Sequence, residues 1–266
     1  MYENHFGLSA KPFGKTPDPR FLYRGRQHAE ALARLLFAVE ERELAVLTGE
    51  IGAGKTMLSR ALIDEAGERC RFILVLNPRL TAAGLLKAVA EGIGVRKKRG
   101  VGPEDLAERL AALDAEGRFP VVLVDEAQLL SKAVLDELRL LTNLQLDDRN
   151  LIGVVLLGQP ELRARLRKPA CEAFRQRVGA TYHLGPLDRE ELGNYVAHRL
   201  RVAGRTGPLF TEGALDVVHK ASAGVPRRVN NLCASALLEA FGRGASMIDA
   251  EIAENVVRDF ETVLGT

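Results

Sequence analysis

The sequence predicts a doubly wound α/β fold with a parallel five-stranded sheet, followed by an all-helical C-terminal domain. Three observations predict it. Short, continuous apolar runs alternate with helical periodicity from about Gln27 to Leu184, the pattern left by strands buried on both faces under crossover helices. A glycine-rich loop, Gly49-Glu50-Ile51-Gly52-Ala53-Gly54-Lys55-Thr56, follows the first of those runs directly. Beyond Pro186-Leu187 every periodic segment has the spacing of a helix and none that of a strand.

Taken in order, helical periodicity covers Gln27 to Arg42, and Leu44 to Thr48 is a buried strand that enters the loop and a helix reaching about Ala66. Arg71 to Leu76 is a second strand, and helical patterns follow at Thr81 to Gly92 and Pro103 to Glu116. Val121 to Val124 is a third strand, and Ser131 is placed to cap a helix that runs to about Leu144. Leu151 to Leu157 is the fourth strand and Thr181 to Leu184 the fifth. Helices are then expected at Arg189 to Val202, Thr211 to Ala221, Pro226 to Phe241 and Ala250 to Leu264. The corresponding domains are an N-terminal aromatic and proline-rich segment, 1–26, packing on the core, an α/β nucleotide-binding domain, 27–186, and a helical domain, 187–266.

Composition narrows the function. A chain of 266 residues has ample core for a large unit and a smaller one. Its net charge of +2 provides no global attraction to nucleic acid or membrane, so any such binding must be local. Cys70, Cys171 and Cys233 lie far apart and suggest neither a disulfide framework nor zinc. His5, His28, His183, His198 and His219 are scattered likewise and fit solvated or satisfied side chains better than metal ligands. No apolar stretch approaches the ~20 residues of a membrane span, and Met1-Tyr2-Glu3-Asn4-His5 does not open like a secretion signal. A cytoplasmic protein without direct membrane insertion is expected.

The loop carries the first chemistry. Glycines in the stretch from Gly49 to Met57 allow backbone N–H groups to turn inward around phosphates, and the following helix directs its positive end at them. Lys55 reaches the terminal phosphates of a nucleoside triphosphate, and the Thr56 hydroxyl holds Mg²⁺. The third strand ends in Asp125-Glu126, a Walker B arrangement that sets two carboxylates at the strand's carboxyl end. Asp125 is assigned to the Mg²⁺ shell, and Glu126 to polarising the water that attacks the terminal phosphorus. One predicted strand lies between Lys55 and Asp125 in sequence, which favours the additional-strand, glutamate-bearing phosphate-loop ATPases over nucleotide kinases and small GTPases. No Asn-Lys-x-Asp guanine-reading element is present.

Three separated elements then match one group in order. They are Tyr2 to Tyr23, with Phe6-Gly7-Leu8, Pro12-Phe13 and Thr16-Pro17-Asp18-Pro19-Arg20-Phe21-Leu22-Tyr23; Asp125-Glu126-Ala127-Gln128 with Leu138 to Asn143; and Gly158-Gln159-Pro160-Glu161-Leu162. The chain resembles an AAA+ ATPase of the general secretion pathway protein A, or ExeA-like, type over essentially its whole length. The resemblance implies an ATP-dependent homo-oligomer, a hexamer where a ring closes, with a helical lid over the nucleotide. It further implies that Gln159 bonds the terminal phosphate or the attacking water. Arg177 is the arginine finger offered to a neighbouring subunit, with Arg175 as the substitute, and Arg227 reaches the phosphates from the lid. Arginine suits these posts because its planar charge stabilises negative oxygens. Phe13, Phe21 and Tyr23 either pack near adenine or form a hydrophobic clasp on the first domain.

Two functions compete. The first is a Mg-ATP-hydrolysing assembly or remodelling factor for a secretion or pilus-type envelope system, recruited to the inner membrane by a membrane-associated protein partner. The second is an ATP-dependent DNA-binding regulator of transposition similar to TniB, TnsC and MuB. The basic run Arg96-Lys97-Lys98-Arg99 permits contact with DNA, but the near-neutral net charge does not recommend it. A nucleotide-stabilised scaffold with negligible hydrolysis is argued against by an intact Glu126.

Overall fold

The structure is a computed structural model that describes residues 1–14, 18–95, 100–146 and 149–264. The basic run 96–99 and the Thr16-Pro17 part of the N-terminal signature lie outside the described residues. The chain divides into two compact units, each described by itself. One holds Ala29–Gly49 and Leu58–Leu184, and the other holds Met1–His28, Glu50–Met57 and Gly185–Thr266.

The first unit is built on strands β1 (Leu44–Gly49), β2 (Cys70–Val75), β3 (Phe119–Val124), β4 (Gln145–Leu146), β5 (Arg149–Asn150), β6 (Gly153–Gly158) and β7 (Val178–Leu184). Five of them form one sheet in the order β2-β3-β6-β1-β7, every pairing parallel. β6 therefore lies between the two motif strands β1 and β3, with Leu44 beside Val154 and Val124 beside Leu156. All six residues of β1, of β3 and of β6 are buried, which explains their unbroken apolar sequences. On one face Val46, Ile73, Val122 and Leu156 meet Leu85, Leu110 and Leu138 from the helices Ala82–Ile93, Pro103–Ala115 and Lys132–Leu141. Each such side chain contributes about 1.5–3 kcal/mol by leaving water. Ser131 caps the last of those helices, its hydroxyl accepting from Val134 N at 3.2 Å.

Some boundaries move. The fourth expected strand starts at Gly153 rather than Leu151, because Leu151 and Ile152 leave the small antiparallel β4–β5 hairpin and turn inward before pairing begins. The last strand starts at Val178, three residues before its expected start. The helix Pro160–Leu166 begins on Pro160, whose missing N–H is no loss in a first turn.

In the second unit the helices Arg189–Val202, Glu212–Ser222, Pro226–Gly242 and Ala250–Leu264 surround their own core. Asp188 and Thr211 cap the first two, accepting from Glu191 N at 2.8 Å and Ala214 N at 3.2 Å. The N-terminal aromatics belong to this core. Phe6, Leu8, Phe13 and Phe21 are buried among these helices, which differs from the expected clasp on the α/β domain. The physical reason is Arg199. Its guanidinium is buried, donates to Pro12 O at 2.5 Å and to the Tyr195 hydroxyl at 2.8 Å, and faces the rings of Phe21, Tyr195 and Phe13. A desolvated cation needs acceptors and π-faces, and Pro12, Phe13 and Phe21 supply an acceptor and two rings beside those of Tyr195. Among the described residues no helix is long and apolar enough to cross a membrane.

Candidate nucleotide site

β1 ends at Gly49, and the chain continues into the phosphate loop. Gly52 and Gly54 have φ of +86° and +101°, values at which any L side chain is strained. Both positions are also crowded. A Cβ on Gly54 would stand 2.9 Å from His28 Nε2, and one on Gly52 would fall far inside contact distance of Arg227 Cβ and 3.2 Å from its Cδ. Loop carbonyls are held from outside, since Ala53 O lies 3.1 Å from His28 Nε2 and Gly52 O accepts from Arg227 N at 3.2 Å. Lys55 opens the helix Lys55–Glu65, and its buried ammonium donates to Glu50 O at 2.9 Å. Carbonyls turned outward and glycines where a side chain would fill the turn make a cradle that fits a phosphate chain. Arg227, placed by resemblance at the phosphates, is thus brought to the loop.

The acidic pair follows β3. Asp125 Oδ1 accepts from Glu126 N at 2.8 Å. Glu126 occupies the left-handed region at φ 54°, ψ 38°, a conformation that costs a non-glycine residue about 1 kcal/mol or more. Its carboxylate is fixed by two amides. Gln159 Nε2 donates to Oε2 at 2.9 Å and Gln128 Nε2 to the same oxygen at 2.6 Å, while Gln128 Oε1 accepts from Gln159 N at 3.1 Å. The parallel pairing of β3 with β6 puts the two strand ends side by side, so Gln159 and Glu126 meet without any long-range adjustment. Arg165 secures this corner, donating to the carbonyls of Gln128 and Leu130.

The two candidate finger arginines differ. Arg175 donates to Leu166 O at 3.3 Å and to Arg167 O at 3.0 Å, so its guanidinium is engaged within its own chain. Arg177 is exposed and makes no side-chain hydrogen bond or ion pair among the described residues. Phe13 and Phe21 are committed to the helical core, and Tyr23 packs edge-on against Tyr195 with ring centroids 5.8 Å apart. Sequence reasoning assigned no role to Gln128, His28 or Arg165. For Gln128 a signal existed, an amide two residues beyond the acidic pair. For His28 and Arg165 none did.

A family model described as an AAA domain matches residues 39–166, which take in the loop, the acidic pair and Gln159. General secretion pathway protein A of Aeromonas hydrophila is 43% identical over 253 residues, 93% of this chain and 46% of that protein. The chain carries an AAA domain. It spans about half the length of the curated relative it matches. Among solved structures, this chain is similar to the ORC2 protein of Aeropyrum pernix in ADPNP–ADP complexes, with TM-score 0.68, 21% identity and coverage of 94% of this chain and 72% of that one. The Thermotoga maritima RuvB Holliday junction branch migration motor gives TM-score 0.61 and 19% identity over 89% of this chain and 70% of that one. At such identities the likeness establishes the fold, with its five-stranded parallel sheet and C-terminal helices, and nothing about what is bound.

Proposed function

We propose that this AAA+ protein hydrolyses Mg-ATP as a homo-oligomeric assembly or remodelling factor, serving a secretion or pilus-type envelope system through a membrane-associated protein partner. The observation that carries the catalytic part is the Glu126–Gln159 contact at the ends of β3 and β6, which supports one water-polarising unit made from the ends of these two neighbouring strands. The system assignment draws on the 43% identical relative.

Each residue has a role in this reading. Backbone N–H groups from Gly49 to Met57 bind the phosphates, with Glu50, Ile51 and Ala53 contributing main chain only. Lys55 and Arg227 offset charge on the terminal phosphate. Mg²⁺, when bound, neutralises charge across the outer phosphates, and Thr56 and Asp125 are the residues that would hold it. Glu126 accepts the proton of the attacking water, and Gln159 orients it. Arg177 extends to the nucleotide of the next copy, which the engagement of Arg175 with Leu166 and Arg167 favours.

The test compares wild type with Glu126→Gln and Lys55→Ala. Glu126→Gln should bind ATP and turn it over at least about a hundredfold more slowly, and Lys55→Ala should lose binding. Equal turnover in wild type and Glu126→Gln removes the catalytic assignment. Salt-sensitive, ATP-dependent binding to duplex DNA, with no stimulation by membrane proteins, would replace the envelope reading by the transposition-regulator one.

A further inference from the structure

His28 has no part in the roles above, yet it is one of the few buried polar side chains of the molecule, 7% exposed. It sits in the first turn of the helix Arg26–Glu40. Its Nε2 lies 3.1 Å from Ala53 O and would be 2.9 Å from a Cβ on Gly54, so the ring edge is seated directly against the turn of the phosphate loop. A carbonyl can only accept, so Nε2 must carry the hydrogen. Burial is the main influence on the ring and disfavours its protonation, outweighing the Ala53 carbonyl and the Glu191 carboxylate. The ring is therefore neutral, and Nδ1 holds a lone pair. That atom is buried with no hydrogen-bond partner among the described residues.

The orphaned acceptor is informative. A side chain retained for stability alone would not leave a buried polar atom unpaired, since that costs as much as one good hydrogen bond returns. The single useful bond this imidazole makes is spent on a loop carbonyl. Turning the Ala53 carbonyl outward rotates the Ala53–Gly54 peptide so that its N–H faces the opposite side, where phosphate oxygens are received.

We propose that His28 is a positioning residue of the phosphate loop, whose Nε2–H holds the Ala53–Gly54 peptide in the orientation that accepts phosphate. This rests on the nucleotide reading above. The same loop is also held by the main chain of Arg227, so His28 supplies an external restraint on a glycine-rich turn.

The experiment measures binding of ATP and ADP by titration calorimetry, with thermal melting of the nucleotide-free protein alongside, for wild type, His28→Phe and His28→Gln. Phenylalanine keeps the ring and removes both nitrogens. It deletes the donor but also the orphan, so the melting temperature should stay within about 2 °C of wild type while affinity for both nucleotides falls about tenfold. Glutamine reaches the same carbonyl with an amide N–H and should restore affinity to within about threefold. Unchanged affinity in His28→Phe overturns the proposal, as does a loss that glutamine does not rescue or one matched by a collapse in melting temperature. Wild type that binds neither nucleotide would instead overturn the underlying nucleotide reading.

Discussion

Gly52→Ala is the sharpest probe of the loop geometry, because Gly52 occupies a position that the phosphate-loop pattern leaves open but the structure does not. At φ +86° the alanine pays about 1–2 kcal/mol for a conformation that crowds its Cβ. The new methyl also falls inside the contact shell of Arg227 Cβ. Arg227 begins the helix Pro226–Gly242, and its N–H is bonded to Gly52 O at 3.2 Å. Relieving the contact separates that pair and loses a further ~0.5–1.5 kcal/mol. The nucleotide-free loop can relax away from this strain, whereas the phosphate-binding shape cannot, so the cost appears in affinity. A total near 2–3 kcal/mol predicts ATP binding weakened about 30- to 150-fold. Titration with a fluorescent ATP analogue measures it. Gly207→Ala serves as the control, since a Cβ there meets nothing within 4 Å. A Gly52→Ala protein that binds within about threefold of wild type refutes the inference that Arg227 and the loop are in register.

Three further outcomes are expected. Gln128→Ala, which removes an amide donor to Glu126 and the acceptor for Gln159 N, should lower ATP turnover about tenfold with ATP affinity kept, and an unchanged rate would leave Gln128 without a positioning role. Arg177→Ala should abolish turnover and recover partly when mixed with Lys55→Ala protein, whereas Arg175→Ala should chiefly lower the melting temperature by freeing the Leu166 and Arg167 carbonyls; the reverse pattern would exchange their roles. Acid should destabilise the helical unit early. Burial holds His28 and His198 below their ordinary 6.5, with Arg201 and Arg199 pushing His198 further down. The unfolded chain then binds more protons than the folded one as pH falls through 6.5. Their contribution is fully present above that pH and lost below it, so melting at pH 5.5 should come several degrees lower than at pH 7.5, and less so in His28→Gln.

How much of this was legible in the sequence depends on how local each cause is. β1, β3 and β6 are buried along their whole length, and burial on both faces writes itself as an uninterrupted apolar run. β7 is an edge strand with exposed Gly179, Thr181 and His183, so only its last residues had strand character. The β4–β5 hairpin contributes two residues per strand, too few for any periodicity. The helix Pro160–Leu166 was hidden inside a segment recognised for its motif. Motif spacing places Lys55, Asp125 and Glu126 because they are fixed by strand and loop lengths. The Gln159 amide on Glu126 depends instead on β6 lying beside β3, and the imidazole on Ala53 depends on the path of the chain before residue 28. Neither is encoded in a window of neighbouring residues.

The partners of the phosphate loop bear on how nucleotide occupancy could be felt elsewhere. Although the loop grows from the sheet strand β1, residues Glu50–Met57 group with the N-terminal segment and the C-terminal helices in one compact unit. The links are specific: His28 to Ala53, and the main chain of Arg227 to Gly52. Both bonds end on carbonyls of the loop itself, those of Ala53 and Gly52. A rotation there breaks or strains a bond to the first turn of Pro226–Gly242, a helix whose buried face, from Val229 to Ala240, is part of the same core as Phe6, Phe13 and Phe21. Packed cores shift between discrete arrangements rather than deforming gradually. The N-terminal aromatics, tied in by Arg199, therefore belong to the same packed core as the helix whose first turn holds Gly52 O.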